Sequence, residues 1–219
     1  MSRPPVAPKI YHITHVDNLP QILATGGLWS DAQMLQQSGA VTTIGMSRIK
    51  RRRLDEIEVY CHLGTMVGDY VPFYFCPRSI MLCTIYYRNS PDLAYRGGQD
   101  EIVHLESDLY ATLDWAESQG RPWAFSLSNA GARDVVIRDQ RGQLNQINWE
   151  AMPLRVWNYR PVSDDRQAEF LIHDFFDWSL VTRIGVHSRA VGQRAYNALR
   201  QASFPMPTIE IKTQEWYYP

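Results

Sequence analysis

The chain has 219 residues, of which 45% are hydrophobic and 12% aromatic, and its formal net charge is −1. This size supports one substantial core. The near-zero charge excludes the global basic field that marks many nucleic-acid binders, although a local basic patch remains compatible with it. The cysteines (Cys61, Cys76 and Cys83) are odd in number and form no CxxC pair. A disulfide framework is therefore not expected, and a reducing cytosol fits best.

No segment approaches the ~18 apolar residues of a membrane span, and the Pro-rich stretch 1–9 lacks the apolar core of a signal peptide. The sequence also contains no GxGxxG, no Walker loop and no Cys/His spacing typical of a metal site. We therefore predict a soluble cytoplasmic protein with a flexible lead over residues 1–9, a single domain over 10–219 and no metal.

The predicted elements mix strands and helices without a regular βαβ repeat, which favours an α+β fold. Strands are predicted over 10–13, 70–75, 101–105, 123–126, 182–187 and 208–212, and helices over 18–25, 108–119 and 190–201. The apolar run 79–87 fits either a helix or a strand, with Ser79 as a possible N-cap. The polar stretch 30–45 fits either a loop or a loosely held helix over a cleft. Pro72 predicts an edge strand or a bulge, because proline cannot donate to a ladder.

Five cations occur within the six residues 48–53, and three carboxylates follow at Asp55, Glu56 and Glu58. The pattern predicts a helix with a basic half and an acidic half. One interpretation is a solvated face whose internal ion pairs contribute little. The other is an arginine that holds a pyrophosphate through two parallel hydrogen bonds.

His12 and Thr14 lie two residues apart in a predicted strand, so both point to the same face. An imidazole and a hydroxyl on one face can bind a ribose diol or a carboxamide. The alternative is a histidine whose ring is satisfied by a backbone carbonyl.

Glu169 interrupts the otherwise apolar, strand-like end of the stretch 167–173. A carboxylate there is costly unless it is paired, solvated at a cleft or used in catalysis. Strand alternation also allows the simpler alternative that Glu169 points to water. The stretch 127–149 sustains no period, and a loop this long inside a compact domain is usually functional.

Four segments occur in a characteristic order: YHITHVDNLPQIL, DYVPFYFCPRSIML, RGGQDEIVHL and RQAEFLI. Together they resemble the DarT-type DNA ADP-ribosyltransferases, which are toxins of bacterial toxin–antitoxin pairs. The resemblance covers about residues 10–216, and the tyrosine-proline-aromatic and QAEFL motifs are its most specific parts.

The resemblance implies a split, mostly antiparallel β-core surrounded by helices around a cleft for NAD+, which serves as co-substrate. It implies transfer of ADP-ribose to a base, thymine first, in single-stranded DNA. Alternative acceptors are guanine, RNA or protein, and a non-catalytic nucleic-acid-binding module is the alternative from another class. Its implied partners are single-stranded DNA and a DarG-like macrodomain antitoxin, and we expect a monomer in the bacterial cytoplasm.

The resemblance also assigns site residues. Glu169 matches the catalytic glutamate, and Arg53 matches the essential arginine best, with Arg52 or Arg51 as alternatives. The remaining assignments are His12, Ile13, Thr14, Gln21, Leu28, Trp29 and Tyr74 for NAD+, and Asn129, Arg133 and Gln167 for DNA.

The stretch 127–165 resembles the family's substrate-reading loop, although some members have a histidine near the position of Asn129. Local cations could follow the DNA backbone, and aromatic rings could stack on bases, with packing in the core as the alternative for each tryptophan. The cations are Arg48, Lys50, Arg133, Arg138 and Arg141, and the rings are Trp123, Trp149, Trp157 and Tyr159.

Overall fold

The computed structural model describes residues 2–36, 42–155 and 162–219. The strands are β1 (Lys9–His15), β2 (Gly27–Trp29), β3 (Tyr70–Tyr74), β4 (Ile102–Asp108), β5 (Trp123–Asn129), β6 (Ile137–Arg138), β7 (Ala168–His173), β8 (Phe175–Asp177), β9 (Val181–Val186) and β10 (Thr208–Ile211). The α-helices are α1 (Leu19–Ala24), α2 (Asp31–Gln36), α3 (Ser47–Asp55), α4 (Ile80–Tyr87), α5 (Leu109–Ser118), α6 (Val162–Asp165), α7 (Arg189–Leu199) and α8 (Thr213–Trp216).

Eight strands form one sheet in the order β10-β9-β4-β1-β3-β7-β5-β6, and β2 pairs with β8 in a small second sheet. The pair β9–β10 is parallel, and the other strand pairs are antiparallel. The prediction of an α+β fold with a mostly antiparallel core is confirmed.

The large sheet opens between β1 and β3. β1 pairs with β4 along its whole length, but among the described residues its ladder with β3 consists of the single pair Tyr11↔Tyr74. Pro72 lies in this opening, where its carbonyl accepts a hydrogen bond from His12 Nδ1. The prediction that Pro72 marks an edge strand or a bulge was therefore wrong, because β3 is a central strand and its pairing with β7 continues in register through Pro72↔Leu171. The missing N–H is tolerated since the ladder with β1 has already parted there.

Local signals place several helices as the sequence predicts. Ser79 caps α4 by accepting a hydrogen bond from the Leu82 amide, so the ambiguous run 79–87 is a helix. Asp108 caps α5, and Gly120 follows that helix with a φ of +59°, in the left-handed region that glycine adopts without strain. The polar stretch 30–45 contributes α2, and its residues 37–41 lie outside the described residues.

The main core lies between the large sheet and helices α1, α5 and α7. Trp123 and Trp149 belong to this core, each with 7% of its surface exposed, and Trp149 Nε1 donates to the Leu144 carbonyl. Neither ring is available for stacking on a base, so the alternative of core packing applies to both. Trp157 and Tyr159 lie outside the described residues.

The first residues of the chain make defined contacts. Ser2 Oγ donates to the Ile147 carbonyl, and Lys9, the first residue of β1, forms an ion pair with Asp108 at 2.9 Å.

Among the helices of the described ranges, none is both long and apolar enough to cross a bilayer.

Burial of His104 in β4 predicts a pH dependence of folding. Its Nε2 donates to the Pro77 carbonyl, while Nδ1 is buried without a partner among the described residues. Burial lowers the pKa of His104 to about 4. Between that value and the ordinary pKa near 6.5, the unfolded chain takes up a proton that the folded chain does not, so stability falls with falling pH.

We expect a loss on the order of 3 kcal/mol between pH 6.5 and 4 from this residue. Urea unfolding of the wild type and of His104→Gln across this range measures it. The variant should lose less stability than the wild type on acidification; equal pH slopes would contradict the assignment.

Candidate active site

A cleft with a volume of about 840 Å³ lies beside the opening between β1 and β3. This volume is within the range of small-molecule binding sites. All but one of the site residues that the family resemblance assigns line it. They are His12, Ile13, Thr14, Gln21, Leu28, Trp29, Arg53, Tyr74, Asn129, Gln167 and Glu169.

A buried ion pair lies in this cleft. Arg53 Nη1 lies 2.8 Å from Glu169 Oε2 and 3.0 Å from Oε1. The two side chains are 11% and 4% exposed. Glu169 therefore does not point to water, as strand alternation alone would have allowed. Burial disfavours the charged guanidinium, but the charge and hydrogen bond of Glu169 outweigh it and raise the pKa of Arg53.

The helix α3 separates the three adjacent arginines. Successive residues of an α-helix are rotated by about 100° around its axis, so three neighbours face different surroundings. Arg53 enters the cleft, Arg51 is exposed at its rim, and Arg52 donates through Nη2 to the Gly131 carbonyl. Arg53 Nη2 is buried and has no partner among the described residues, so it remains a donor for a ligand.

A bulge in β5 holds Glu169 in place. Phe125 pairs with Phe170, but the next pair is Asn129↔Ala168, so β5 carries two extra residues at this point. The Ser126 hydroxyl accepts the backbone N–H of Glu169 at 3.0 Å. Such bulges re-aim side chains at functional sites.

The Ala130 amide, just after the bulge, donates to Glu169 Oε1 at 3.2 Å. The sequence analysis did not identify Ser126 or Ala130 as neighbours of Glu169, because no local sequence pattern predicts a bulge in a short strand.

His12 presents a hydrogen-bond acceptor to the cleft. Since a carbonyl can only accept, the 2.8 Å contact with the Pro72 oxygen places the proton on His12 Nδ1 and leaves a lone pair on Nε2. Burial lowers the pKa of His12 despite the opposing hydrogen bond to Pro72, so the ring is neutral at pH 7. Both interpretations of His12 therefore apply. Its Nδ1 is hydrogen-bonded to a backbone carbonyl, and the ring still lines the cleft as a residue that binds a ligand would.

Asn18 is a cleft residue that the sequence analysis missed. Its Nδ2 donates to Thr14 Oγ1 and to the Thr42 carbonyl, both at 3.0 Å, and its Oδ1 accepts the Thr42 amide at 2.8 Å. Asn18 therefore ties the strand that carries His12 and Thr14 to the segment that leads into α3.

Two aromatic residues, Tyr74 and Trp29, line the cleft. Tyr74 pairs with Glu169 across the β3–β7 ladder, and burial followed by the charge of Glu169 raises the pKa of Tyr74. Its phenol is therefore protonated at neutral pH. Trp29 packs against Phe175 with ring centres 4.6 Å apart, and Trp29 Nε1 is buried without a partner among the described residues.

Two side-chain amides adjoin Glu169. Asn129 Nδ2 donates to Gln167 Oε1 at 3.1 Å, and Asn129 Oδ1 accepts the Gly131 amide at 2.7 Å. Gln167 lies in the turn before β7 rather than within the strand, and its Nε2 donates to the Ser163 carbonyl. The hydrogen bond between the two amides therefore fixes their positions at the edge of the cleft.

Arg133 does not join the other predicted residues. Its side chain is 83% exposed and lies 3.7 Å from Glu56, and it does not line the cleft. The other predicted backbone-following cations already have protein partners. Lys50 pairs with Asp31 at 2.6 Å, Arg48 with Asp92 at 3.3 Å and Arg141 with Asp114 and Glu117, while Arg138 binds Gln146 and Tyr60.

Comparison with known proteins agrees with this geometry. A family model described as "ssDNA thymidine ADP-ribosyltransferase, DarT" matches residues 11–218. A DNA ADP-ribosyl transferase from Thermus sp. (strain 2.9) is 36% identical over 218 residues, which covers 98% of each chain.

Two solved structures of Thermus sp. 2.9 DarT share the fold. The complex with ADP-ribosylated ssDNA matches with a TM-score of 0.88 and 35% identity over 100% of both chains. The complex with NAD+ matches with a TM-score of 0.80 and 33% identity, covering 99% of this chain and 100% of that one.

The fold and the cleft therefore define an ADP-ribosyltransferase. The chain belongs to the DarT family of single-stranded DNA thymidine ADP-ribosyltransferases. The prediction of an NAD+-dependent DNA ADP-ribosyltransferase is confirmed.

The buried pair predicts strong energetic coupling between Arg53 and Glu169. Arg53→Met or Glu169→Leu leaves one buried charge without its partner, so each should lower the free energy of unfolding by about 3–5 kcal/mol. The double variant should lose about 1–3 kcal/mol less than the sum of the two single losses. Urea unfolding of the four proteins measures the coupling.

Arg51→Met is the matched control, because this neighbouring arginine is exposed. It should change the stability by less than about 0.5 kcal/mol. Additive losses in the double variant would show that the two side chains do not depend on each other.

Proposed function

We propose that this enzyme transfers ADP-ribose from NAD+ to a thymine in single-stranded DNA, within the cleft beside β1 and β3, and that it acts as a bacterial toxin. The observation that carries this proposal is the buried Arg53–Glu169 pair in that cleft. The related Thermus protein, which has been solved with NAD+ and with ADP-ribosylated ssDNA, supports it.

In this proposal, β1 and α3 hold the NAD+ molecule. His12 Nε2 accepts a hydrogen bond from the nicotinamide end, with Ile13 and Thr14 beside it. The free Arg53 Nη2 donates to the phosphates, which suits the planar guanidinium. The ring of Tyr74 packs beside nicotinamide. Gln21, Leu28 and Trp29 line the rest of the dinucleotide path.

Glu169 performs the chemical step. The bond between nicotinamide and ribose breaks and a bond between that ribose carbon and the thymine forms, so positive charge develops on the sugar in between. The carboxylate, already oriented by Arg53 and the Ala130 amide, stabilises this charge through the ribose hydroxyl. It also receives the proton that the base loses. A preorganised group of this kind typically supplies about 3–4 kcal/mol. Arg53 cannot be the base, because its guanidinium does not release a proton in proteins.

The amides of Asn129 and Gln167 orient the acceptor base beside Glu169. Their donors and acceptors match the edge of a thymine, and they exchange their mutual hydrogen bond for contacts to the base. A thymine in a duplex has this edge occupied by its partner. An unpaired strand avoids the few kcal/mol needed to unpair it.

The remaining parts of the proposal concern the cell. We propose a single catalytic domain over 10–219 that acts as a monomer in the bacterial cytoplasm, without a catalytic metal. A macrodomain antitoxin that removes the ADP-ribose is the expected partner, as the toxin–antitoxin character of the family implies.

Transfer to DNA is testable with defined oligonucleotides. The protein is incubated with NAD+ and one of four substrates: single strands with thymine, single strands without it, the matching duplex, or RNA. Mass spectrometry then reports addition of one ADP-ribosyl group. We expect modification of the thymine-containing single strand, and a rate lowered by about 10²–10³-fold in Glu169→Gln.

Circular dichroism and NAD+ binding of Glu169→Gln serve as controls, because the isosteric amide keeps the packing of the pocket. Modification of RNA or protein but not of DNA would overturn the proposed acceptor. Equal rates on single-stranded and duplex DNA would overturn the argument from unpairing.

Base recognition by the amides is testable separately. Gln167→Ala should lower kcat/KM for the thymine-containing strand by about 5- to 150-fold, which corresponds to the ~1–3 kcal/mol of one amide–base contact. The KM for NAD+ should stay unchanged.

Arg133→Ala is the control, since its exposed side chain lies outside the cleft. It should change kcat/KM by less than about threefold at physiological salt. If Arg133→Ala lowered kcat/KM more than Gln167→Ala did, the amides would not be the groups that recognise the base.

A further inference from the structure

A second cluster of chemically reactive side chains lies outside the cleft. Cys61 and His62 follow α3, and Asp139 follows β6. One potential ligand atom from each lies within 4.8 Å of the other two. All three side chains are half-buried, and none lines the cleft.

We propose that Cys61, His62 and Asp139 bind a zinc ion, with water as the fourth ligand. A thiolate, an imidazole and a carboxylate are the ligand types of zinc in proteins, and sites with three protein ligands keep one position for water. Tetrahedral bonds of about 2.0–2.3 Å place ligand atoms roughly 3.3–3.8 Å apart, so side-chain movements of about 1 Å complete the site.

His62 has the arrangement of a metal ligand. Its Nε2 contacts the Trp123 carbonyl at 2.9 Å. Because a carbonyl can only accept, Nε2 carries the proton and Nδ1 keeps the lone pair. Metal-binding histidines generally donate their second ring nitrogen to a backbone carbonyl or a carboxylate in this way, which fixes the ring and raises its basicity.

In the part of the chain that the structure describes, no cation forms an ion pair with Asp139. Among the described residues, no hydrogen bond or ion pair engages its carboxylate. The neighbouring Arg138 directs its guanidinium to Gln146, Tyr60 and the Ile137 carbonyl instead. On zinc binding, the thiol of Cys61 releases its proton to solvent and binds as a thiolate.

The backbone around the cluster is held in place without the metal. The Tyr60 hydroxyl donates to the Ile137 carbonyl at 2.7 Å and accepts the Ile137 amide at 2.6 Å. The two ligand-bearing segments are therefore fixed side by side. A zinc ion there joins the residues after α3 to the residue after β6, and it stabilises that junction independently of the transfer reaction.

Metal analysis of the full-length protein tests the proposal. After incubation with zinc and removal of the excess by gel filtration, we expect about one zinc ion per chain in the wild type. Cys61→Ser and Asp139→Asn should each lower the affinity for zinc at least about tenfold in a competition with a chromophoric chelator. Cys83→Ser, a half-buried cysteine on α4, is the control and should bind zinc like the wild type.

Cobalt substitution gives a second measurement that does not depend on the variants folding. The wild type with Co²⁺ should show a thiolate-to-metal charge-transfer band and a tetrahedral visible spectrum, and EDTA should abolish both and lower the Tm. Substoichiometric zinc in the wild type would overturn the proposal, as would equal affinity in Cys61→Ser or a cobalt spectrum without thiolate ligation.

Discussion

The structure of the active site depends on one electrostatic constraint. Glu169 is a carboxylate on a central strand, removed from water, and such a charge is stable only when a cation and further donors compensate it. Arg53 supplies the charge and the Ala130 amide supplies a hydrogen bond. Helix α3 and the bulge in β5 must therefore both approach β7. The arrangement leaves Arg53 Nη2 without a partner among the described residues, so its N–H groups are available to a ligand.

The opening of the large sheet likewise depends on polar groups that lack their usual backbone partner. A continuous ladder between β1 and β3 would satisfy the backbone but close the opening beside which the cleft lies. Pro72, which has no backbone N–H to donate, lies where β1 and β3 are no longer paired. Its carbonyl accepts a hydrogen bond from the His12 side chain instead. The imidazole thereby acquires a fixed tautomer, and its remaining nitrogen becomes an acceptor for a ligand. The break in the pairing of β1 with β3 thus orients the imidazole of His12.

The distribution of charge explains how a chain with a net charge of −1 can belong to a family that acts on DNA. Most cations of the basic run are engaged by neighbouring carboxylates or carbonyls, including Arg48, Lys50 and Arg52. Arg53, which pairs with Glu169, is instead buried, where its interactions are stronger because water does not screen them. The cleft therefore presents a few oriented polar groups rather than a broad basic surface.

The sequence by itself determined the family, the reaction class, the α+β fold and most residues of the cleft, because these are encoded in short motifs such as QAEFL and in local capping signals. The tertiary structure alone decided which of three adjacent arginines meets Glu169, since they differ only in their direction around a helix. It also placed Pro72 in a central strand, buried Trp123 and Trp149, left Arg133 outside the cleft and brought Cys61 and His62 to Asp139. These outcomes depend on contacts between residues far apart in the chain, and no local pattern of residues specifies such distances.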